Sequence, residues 1–561
     1  MRNLRTIRIV NQSIFFTLFA VSLLVTAPNA VGWFFWLNPL VGILTSVATR
    51  APVFPALAVG IVVLIVTVLL GRVFCGGVCP LGAVIDFSDR YLFRRMRSSR
   101  RRPPKYLRRL KYILLTVSLV GALSGVLYPL FFDPILLATR IATLVILPLG
   151  RIVMIDMHGL VKPLLDAAGA YRLSLITLRS PLYYGTLGAL ALALVIIGGG
   201  FWDRRFWCQY LCPSGAFFGL LSRFALFRRK VDYDNCSDCK RCAATLCPTR
   251  AIDERDYRVT STAECVLCGL CREKNKRCTS FGFASPKRSV VRGADVERRH
   301  FVAGALGGAL TLPFLRANAF DRRDNSGRLI RPPGAVPDDE FNSRCLGCAH
   351  CLKACPTNAI QPCTFADGAH RLFTPKIVAR VGGCEETCHL CGHVCPTGAI
   401  RKLSYEEKRF VKIGTAVIDR RRCLAWEQNK ECVVCDEVCP YNAITTHFLE
   451  TTTGPFRVPV VDEDLCLGCG MCEHHCPIFD KAAIVVYKFG EQRKSSGPYV
   501  SEWKKERILE RRRKSDREAI GRSFGLPPSE LGSSGSNRME ADTNTTRRRE
   551  DTKLPPGFSL D

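Results

Sequence analysis

Between Cys345 and Cys476 the chain reads CLGCAHCLKACPTNAI, then CEETCHLCGHVCPTGAI, then a spread group ending CVVCDEVCPYNAI, then CLGCGMCEHHCP. The first and last groups have the spacing C-x2-C-x2-C-x3-C-P, the ligand run of bacterial ferredoxins. Three closely spaced thiolates reach three irons of one cube, and the fourth, followed by proline, closes this cube or a neighbouring one. The ligands of the four groups are Cys345, Cys348, Cys351 and Cys355; Cys384, Cys388, Cys391 and Cys395; Cys423, Cys432, Cys435 and Cys439; and Cys466, Cys469, Cys472 and Cys476. The endings CPTNAI, CPTGAI and CPYNAI repeat, which argues for a repeated structural unit. Structural zinc has no Cys-Pro rule and rarely shows triplets at this spacing. A disulfide framework would have to split the triplets, and no CxxCH for a c-type haem occurs. The stretch therefore predicts four 4Fe–4S clusters. A ferredoxin-like exchange of fourth ligands would pair the first group with the fourth and the second with the third.

Working outward, the 561 residues allow two or more domains, and 48% hydrophobic content with 29 cysteines suggests a membrane protein carrying clusters. The net charge of +30 would suggest nucleic acid in a soluble chain. Here the basic stretches MRNLRTIR, RYLFRRMRSSRRRPPKYLRRLK and RFALFRRK flank apolar runs, as positive-inside topology requires, and no nucleic-acid motif accompanies them. Four spans are predicted, over Ile14–Val31, Pro55–Leu70, Tyr112–Phe132 and Tyr183–Phe201. Ile141–Ile155, broken by Pro148 and Arg151, reads as a re-entrant or interfacial piece. The fold class expected is a membrane α-helical domain of about four transmembrane helices plus α+β ferredoxin-like iron–sulfur domains.

At the cytoplasmic ends of the second and fourth spans stand CGGVCPLGA and CQYLCPSGA. Their Cys75, Cys79, Cys208 and Cys212 form a candidate redox or metal tetrad; the alternative is a packing and turn motif in which Cys-Pro ends each segment. Residues 1–230 are taken as this membrane domain and 231–292 as a cytoplasmic two-cluster domain. Its ligands are Cys236, Cys239, Cys242 and Cys247, then Cys265, Cys268, Cys271 and Cys278. On the two-cluster pattern Cys278 completes the first cube and Cys247 the second. Residues 293–320 carry Arg298, Arg299, an apolar run and Ala317-Asn-Ala319, like a twin-arginine signal or a fifth anchor. Residues 321–490 then form the four-cluster domain on the outer side, and 491–561 a charged tail that reads as disordered beyond a short helix. Cys363 belongs to no group and reads as a buried spare thiol.

On these motifs, residues 1 to about 290 resemble the membrane ferredoxin NapH of periplasmic nitrate-reductase systems, and MauN of methylamine utilisation. Residues 293 to about 490 resemble the twin-arginine-exported ferredoxins NapG and MauM, so the chain resembles a fusion of the two. The resemblance implies a quinol dehydrogenase component in the bacterial inner (cytoplasmic) membrane. Electrons would pass from quinol through about six 4Fe–4S clusters, two cytoplasmic and four periplasmic, to a periplasmic acceptor such as a c-type cytochrome or a reductase. The expected partners are quinol, that acceptor and membrane lipid, with no nucleic acid. Asp133 in FFDPI and His158 in IDMHGL are candidate quinol proton acceptors; each also has a bland reading, as a helix cap and as an interfacial side chain. Two other functions fit the same sequence: a maturation factor that reduces or delivers metal to a partner oxidoreductase, and a scaffold whose clusters are inert.

Overall fold

A computed structural model describes residues 4–25, 32–93, 103–175, 181–232, 236, 241–253, 256–274, 278–284, 302, 304–310, 327–451, 454–500 and 505–514. Cys239, most of the twin-arginine-like segment and the tail beyond residue 514 lie outside them.

Among the described residues of the N-terminal half, two helices are long and apolar enough to cross a membrane, Leu4–Leu24 and Pro134–Ala167. Three apolar helices are shorter, Pro39–Thr49, Ala56–Leu70 and Thr186–Phe201. The span expected at Tyr112–Phe132 is a 15-residue helix, Arg109–Leu123, followed by a 3-10 turn. The piece Ile141–Ile155, expected to be re-entrant or interfacial and broken at Pro148, is unbroken and lies inside the 34-residue helix Pro134–Ala167. Proline does not break it because a π turn at Ala142–Ile146 loosens the ladder just before Pro148, which then opens the next helical segment where its missing N–H costs little. Phe19, Phe35, Leu44, Ile135, Leu136, Trp207 and Phe218 form the core of this half, and Cys79 and Cys212 are buried among them.

The ferredoxin-like parts are built from short helices and two-stranded antiparallel ribbons. Strands β1 (Phe227–Val231) and β2 (Thr279–Phe283) pair at the two ends of the first cluster region. In the C-terminal half β3 (Ile360–Pro362) pairs with β4 (Pro375–Ile377). There β5 (Thr415–Ile418) pairs with β8 (Ile484–Tyr487), and β6 (Ile444–Thr451) with β7 (Gly454–Val461). Residues 505–514 are helical, and Arg512 is buried with its guanidinium over Phe410 and Tyr441.

Candidate functional site

The repeated ending Cys-Pro-x-x-Ala-Ile has a single structural explanation. Proline holds the preceding cysteine extended, as at Cys247 (φ −75°, ψ 111°) and Cys355 (φ −77°, ψ 113°). The third residue after the cysteine is left-handed at Arg250, Asn358, Gly398 and Asn442, with φ between 45° and 68°. That turn folds the backbone back over the sulfur. Ala443 N–H donates to Cys439 Sγ at 3.3 Å, Ala251 N–H to Cys247 Sγ at 3.2 Å and Ile400 N–H to Cys395 Sγ at 3.5 Å. The Ala-Ile pair itself is core: Ala399, Ile400, Ala443 and Ile444 are all buried. Such N–H···S bonds raise a cluster's potential by stabilising the electron-rich state.

The close triplets share a second device. Leu267 and Gly269, Gly347 and Ala349, and Gly468 and Gly470 flank the middle cysteine in the left-handed region, curling three thiols around one centre. Each triplet is completed by the closing cysteine of its partner group. Cys345, Cys348 and Cys351 line a cavity of about 370 Å³ with Cys395. Cys466, Cys469 and Cys472 line one of about 320 Å³ with Cys439. Cys423, Cys432 and Cys435 line one of about 380 Å³ with Cys476. Cys384, Cys388 and Cys391 gather with Cys355, each within its electrostatic reach. Pairing is therefore first with second and third with fourth, correcting the expected first-with-fourth exchange. The reason is non-local: β5 and β8 close residues 415–487 into one unit, while Val336 N–H to Ala399 O and Arg401 N–H to Gly334 O close the first two groups into another.

These cradles fit 4Fe–4S clusters by donor set, four thiols each. Among the described residues no three His, Cys, Asp or Glu side chains gather as a single ion would demand; the ligands of a cube stand apart around it. Burial pushes the Cys345 thiol up to about 12 and that of Cys384 up to about 11, so ligation there must release protons.

The cradles also touch one another in a definite order. Cys384 N–H donates to Cys469 O at 2.7 Å, joining the second cradle to the fourth, and Cys472 of the fourth lies within reach of Cys435 of the third. In the region after β1, Cys265, Cys268 and Cys271 gather with Cys247, as the two-cluster pattern expects. For the other centre, Cys242 is buried beside Arg229, whose Nη2 lies 3.6 Å from its sulfur, while Cys278 adjoins β2. Cys363 is buried in no cradle, 3.7 Å from Arg331 Nη1.

The N-terminal tetrad is brought together: Cys79 and Cys212 each lie within electrostatic reach of Cys75 and Cys208. Asp133 is fully buried at the N-cap of Pro134–Ile141. Its Oδ1 accepts from Ile135 and Leu136 N–H, and its Oδ2 from Asn38 Nδ2 (2.6 Å) and Ser214 Oγ (2.5 Å). His158 lies on an exposed stretch of helix, 2.9 Å from Leu173 O.

Several residues escaped sequence reasoning. Arg72 donates to Ala263 O and pairs with Glu264, which also holds Lys111 at 2.6 Å. Arg205 grips Asp86 through two bonds, at 2.6 and 2.7 Å. Arg140 donates to Gly347 O and Leu346 O, tying the long helix to the first cradle. The available signal was an arginine three residues before the first cysteine of each C-x3-C-P motif.

Families described as 4Fe-4S binding domains match residues 52–101, 184–233, 391–413 and 341–361, and a 4Fe-4S dicluster domain family matches 430–479. The last covers the fourth group and the third from Cys432 onward, which the fold pairs. The methylamine utilization ferredoxin-type protein MauM of Methylophilus methylotrophus is 34% identical over 199 residues, 34% of this chain and 86% of MauM. The ferredoxin-type protein NapG of Escherichia coli is 37% identical over 199 residues, 34% of this chain and 82% of NapG. NapG of Haemophilus influenzae is 31% identical over 218 residues, covering 75% of its length. With repeated cysteine cradles and alignments across more than four fifths of two such relatives, the chain belongs to the MauM and NapG family of ferredoxin-type proteins.

Proposed function

We propose that the chain is a membrane-bound electron conduit. A NapH-like membrane half and a four-cluster half of the NapG and MauM family work as one polypeptide, taking electrons from quinol and passing them to a periplasmic redox acceptor. The observation that carries this reading is the contact order of the cradles. The first lies against the membrane half through Arg140, then shares its closing ligands with the second; the second touches the fourth, and the fourth shares ligands with the third. A 4Fe–4S cluster accepts and returns one electron at a time, so a contiguous series of such sites is a wire. The residues' part is to exclude water, hold the thiolates and set each potential by burial and N–H···S bonds.

The segment after Arg298 and Arg299 is read as an export signal kept as an anchor. In support, Gly304 and Gly308 lie against Ile113, Thr116, Val117 and Val120, a small-residue contact of the kind that packs helices in membranes. Leu306 and Leu310 face away from that contact and are exposed. The test is anaerobic addition of a reduced menaquinol or ubiquinol analogue to the oxidised, detergent-purified chain, followed by optical bleaching and electron paramagnetic resonance. Rapid reduction supports the conduit. Reduction by dithionite but never by quinol overturns it.

A further inference from the structure

We propose that Cys75, Cys79, Cys208 and Cys212 ligate one further iron–sulfur cluster inside the membrane half, between the Cys247/Cys265/Cys268/Cys271 cradle and the Cys345/Cys348/Cys351/Cys395 cradle. The inference rests on the conduit reading for its purpose, but not for its chemistry.

Each of the two membrane-half stretches matched by a 4Fe-4S binding domain family contains only two cysteines, half the ligands that a cluster needs. The fold supplies the other half. The sequence R-x2-C-x3-C-P-x-G-A occurs twice, from Arg72 to Ala83 and from Arg205 to Ala216. The two copies face each other with their arginines crossed. Arg72 reaches the second copy, where a Cβ on Gly215 would stand 3.0 Å from Nη2 and 3.1 Å from Cys208 O. Arg205 reaches the first, donating to Cys75 O at 3.0 Å, and a Cβ on Gly82 would stand 3.7 Å from its Nη2. At Gly215 a side chain would crowd the guanidinium, and at Gly82 it would instead crowd Cys75 O, 3.2 Å from the Cβ position.

Both arginines are buried, as are Cys79 and Cys212. Arg72 Nη2 lies 4.0 Å from Cys75 Sγ. Their carboxylate partners are shared: Glu264 serves Arg72 and Lys111, and Asp86 serves Arg205 and Arg8. One carboxylate for two cations on each side leaves positive charge beside the sulfurs, offset in part by Asp89, whose Oδ2 accepts from Arg205 N–H at 3.0 Å, and by the buried Asp133 near Cys212. Burying such charge is costly unless an anion lies opposite. Four thiolates around an iron–sulfur core provide one: two ferric and two ferrous ions, four sulfides and four thiolates sum to a net charge of about two minus. Neutral thiols would not.

The place is equally specific. A Cβ on Gly76, between Cys75 and Cys79, would stand 2.4 Å from Val266 O, between Cys265 and Cys268, so two cysteine loops are in direct backbone contact. On the other side Leu346 and Cys348 join the same packed core as Cys79 and Cys212. Trp207, beside Cys208, packs on Phe132, which meets Phe131, which meets Phe373 against Gly347. In the step proposed, one electron enters the tetrad site from one neighbouring cluster, which is oxidised by one, and leaves to the other, which is reduced by one; no bond breaks and no proton is required.

The test is iron and acid-labile sulfide per chain in the anaerobically purified full-length protein, compared with a Cys79→Ser/Cys212→Ser double variant. Wild type is expected to hold roughly 28 irons, against roughly 24 for six cubes. The double variant should lose about four, matched by sulfide, together with one paramagnetic component after dithionite reduction, while the others persist. A folded double variant whose iron and sulfide equal those of wild type overturns the proposal, whatever the wild-type total. Zinc or copper lost in place of iron also overturns it. None of these outcomes depends on quinol, so failure here and failure of the conduit reading are separate results.

Discussion

Replacing Asp133 separates a structural carboxylate from a proton acceptor. The side chain is fully buried and receives four donors: two backbone N–H groups of the following helix, the Asn38 amide and the Ser214 hydroxyl. In Asp133→Ala the lost cap costs about 0.5–2 kcal/mol. The Ser214 hydroxyl loses its acceptor at about 1–3 kcal/mol, while the Asn38 amide keeps Ser214 Oγ at 3.2 Å. The expected total is roughly 2–4 kcal/mol. Asp133→Asn keeps the cap through its remaining oxygen and lets Ser214 turn to accept. It sets an amide against Asn38 Nδ2, and Asn38 cannot flip freely because its Oδ1 caps Leu40 N–H at 3.3 Å. The expected cost is roughly 1–2 kcal/mol. Denaturation of the detergent-solubilised protein, followed by cluster absorbance, reads stability; stopped-flow reduction by a quinol analogue reads function. A structural Asp133 predicts a lowered midpoint in both variants and a near-normal quinol rate in the folded Asn variant. If Asp133→Asn unfolds like wild type yet loses more than ten-fold in quinol-driven reduction, the carboxylate handles the proton and the structural argument fails.

Three further outcomes are expected. Cys395→Ser should remove the cluster of Cys345, Cys348 and Cys351, cutting electron flow at the membrane side while dithionite still reduces the remaining clusters; loss of the Cys384 cluster instead would contradict the crossed pairing. Asn442 sits at φ 45°, so Asn442→Gly should be nearly neutral, whereas Asn442→Val should cost roughly 1–2 kcal/mol and weaken the N–H···S bond to Cys439, lowering that cluster's midpoint in a redox titration. Glu264→Gln strands the buried Lys111 and Arg72, an expected loss on the order of 3–5 kcal/mol, and the Cys265 cluster should be the first lost on mild denaturation.

What the sequence determined alone was local. A triplet at x2, x2 spacing curls around one centre because a few backbone torsions suffice, and the Cys-Pro-x-x-Ala-Ile repeat encodes its own left-handed turn and core pair. Iron–sulfur chemistry, the cysteines that supply it and the apolar character of the first half were therefore legible before any coordinates. The tertiary structure decided what depends on distant segments meeting. Cys395 closes the first triplet and Cys476 the third because terminal strands such as β5 and β8 pair across 60 or more residues, and nothing in the spacing of either group fixes that partner. Pro148 looked like a break until a π turn absorbed it. The arginines before the two C-x3-C-P motifs, Arg72 and Arg205, lie outside the basic stretches that signal topology, and their spacing alone names no partner. Only the meeting of two chain segments, 130 residues apart between Arg205 and Cys75, shows them buried and crossed beside the cysteines.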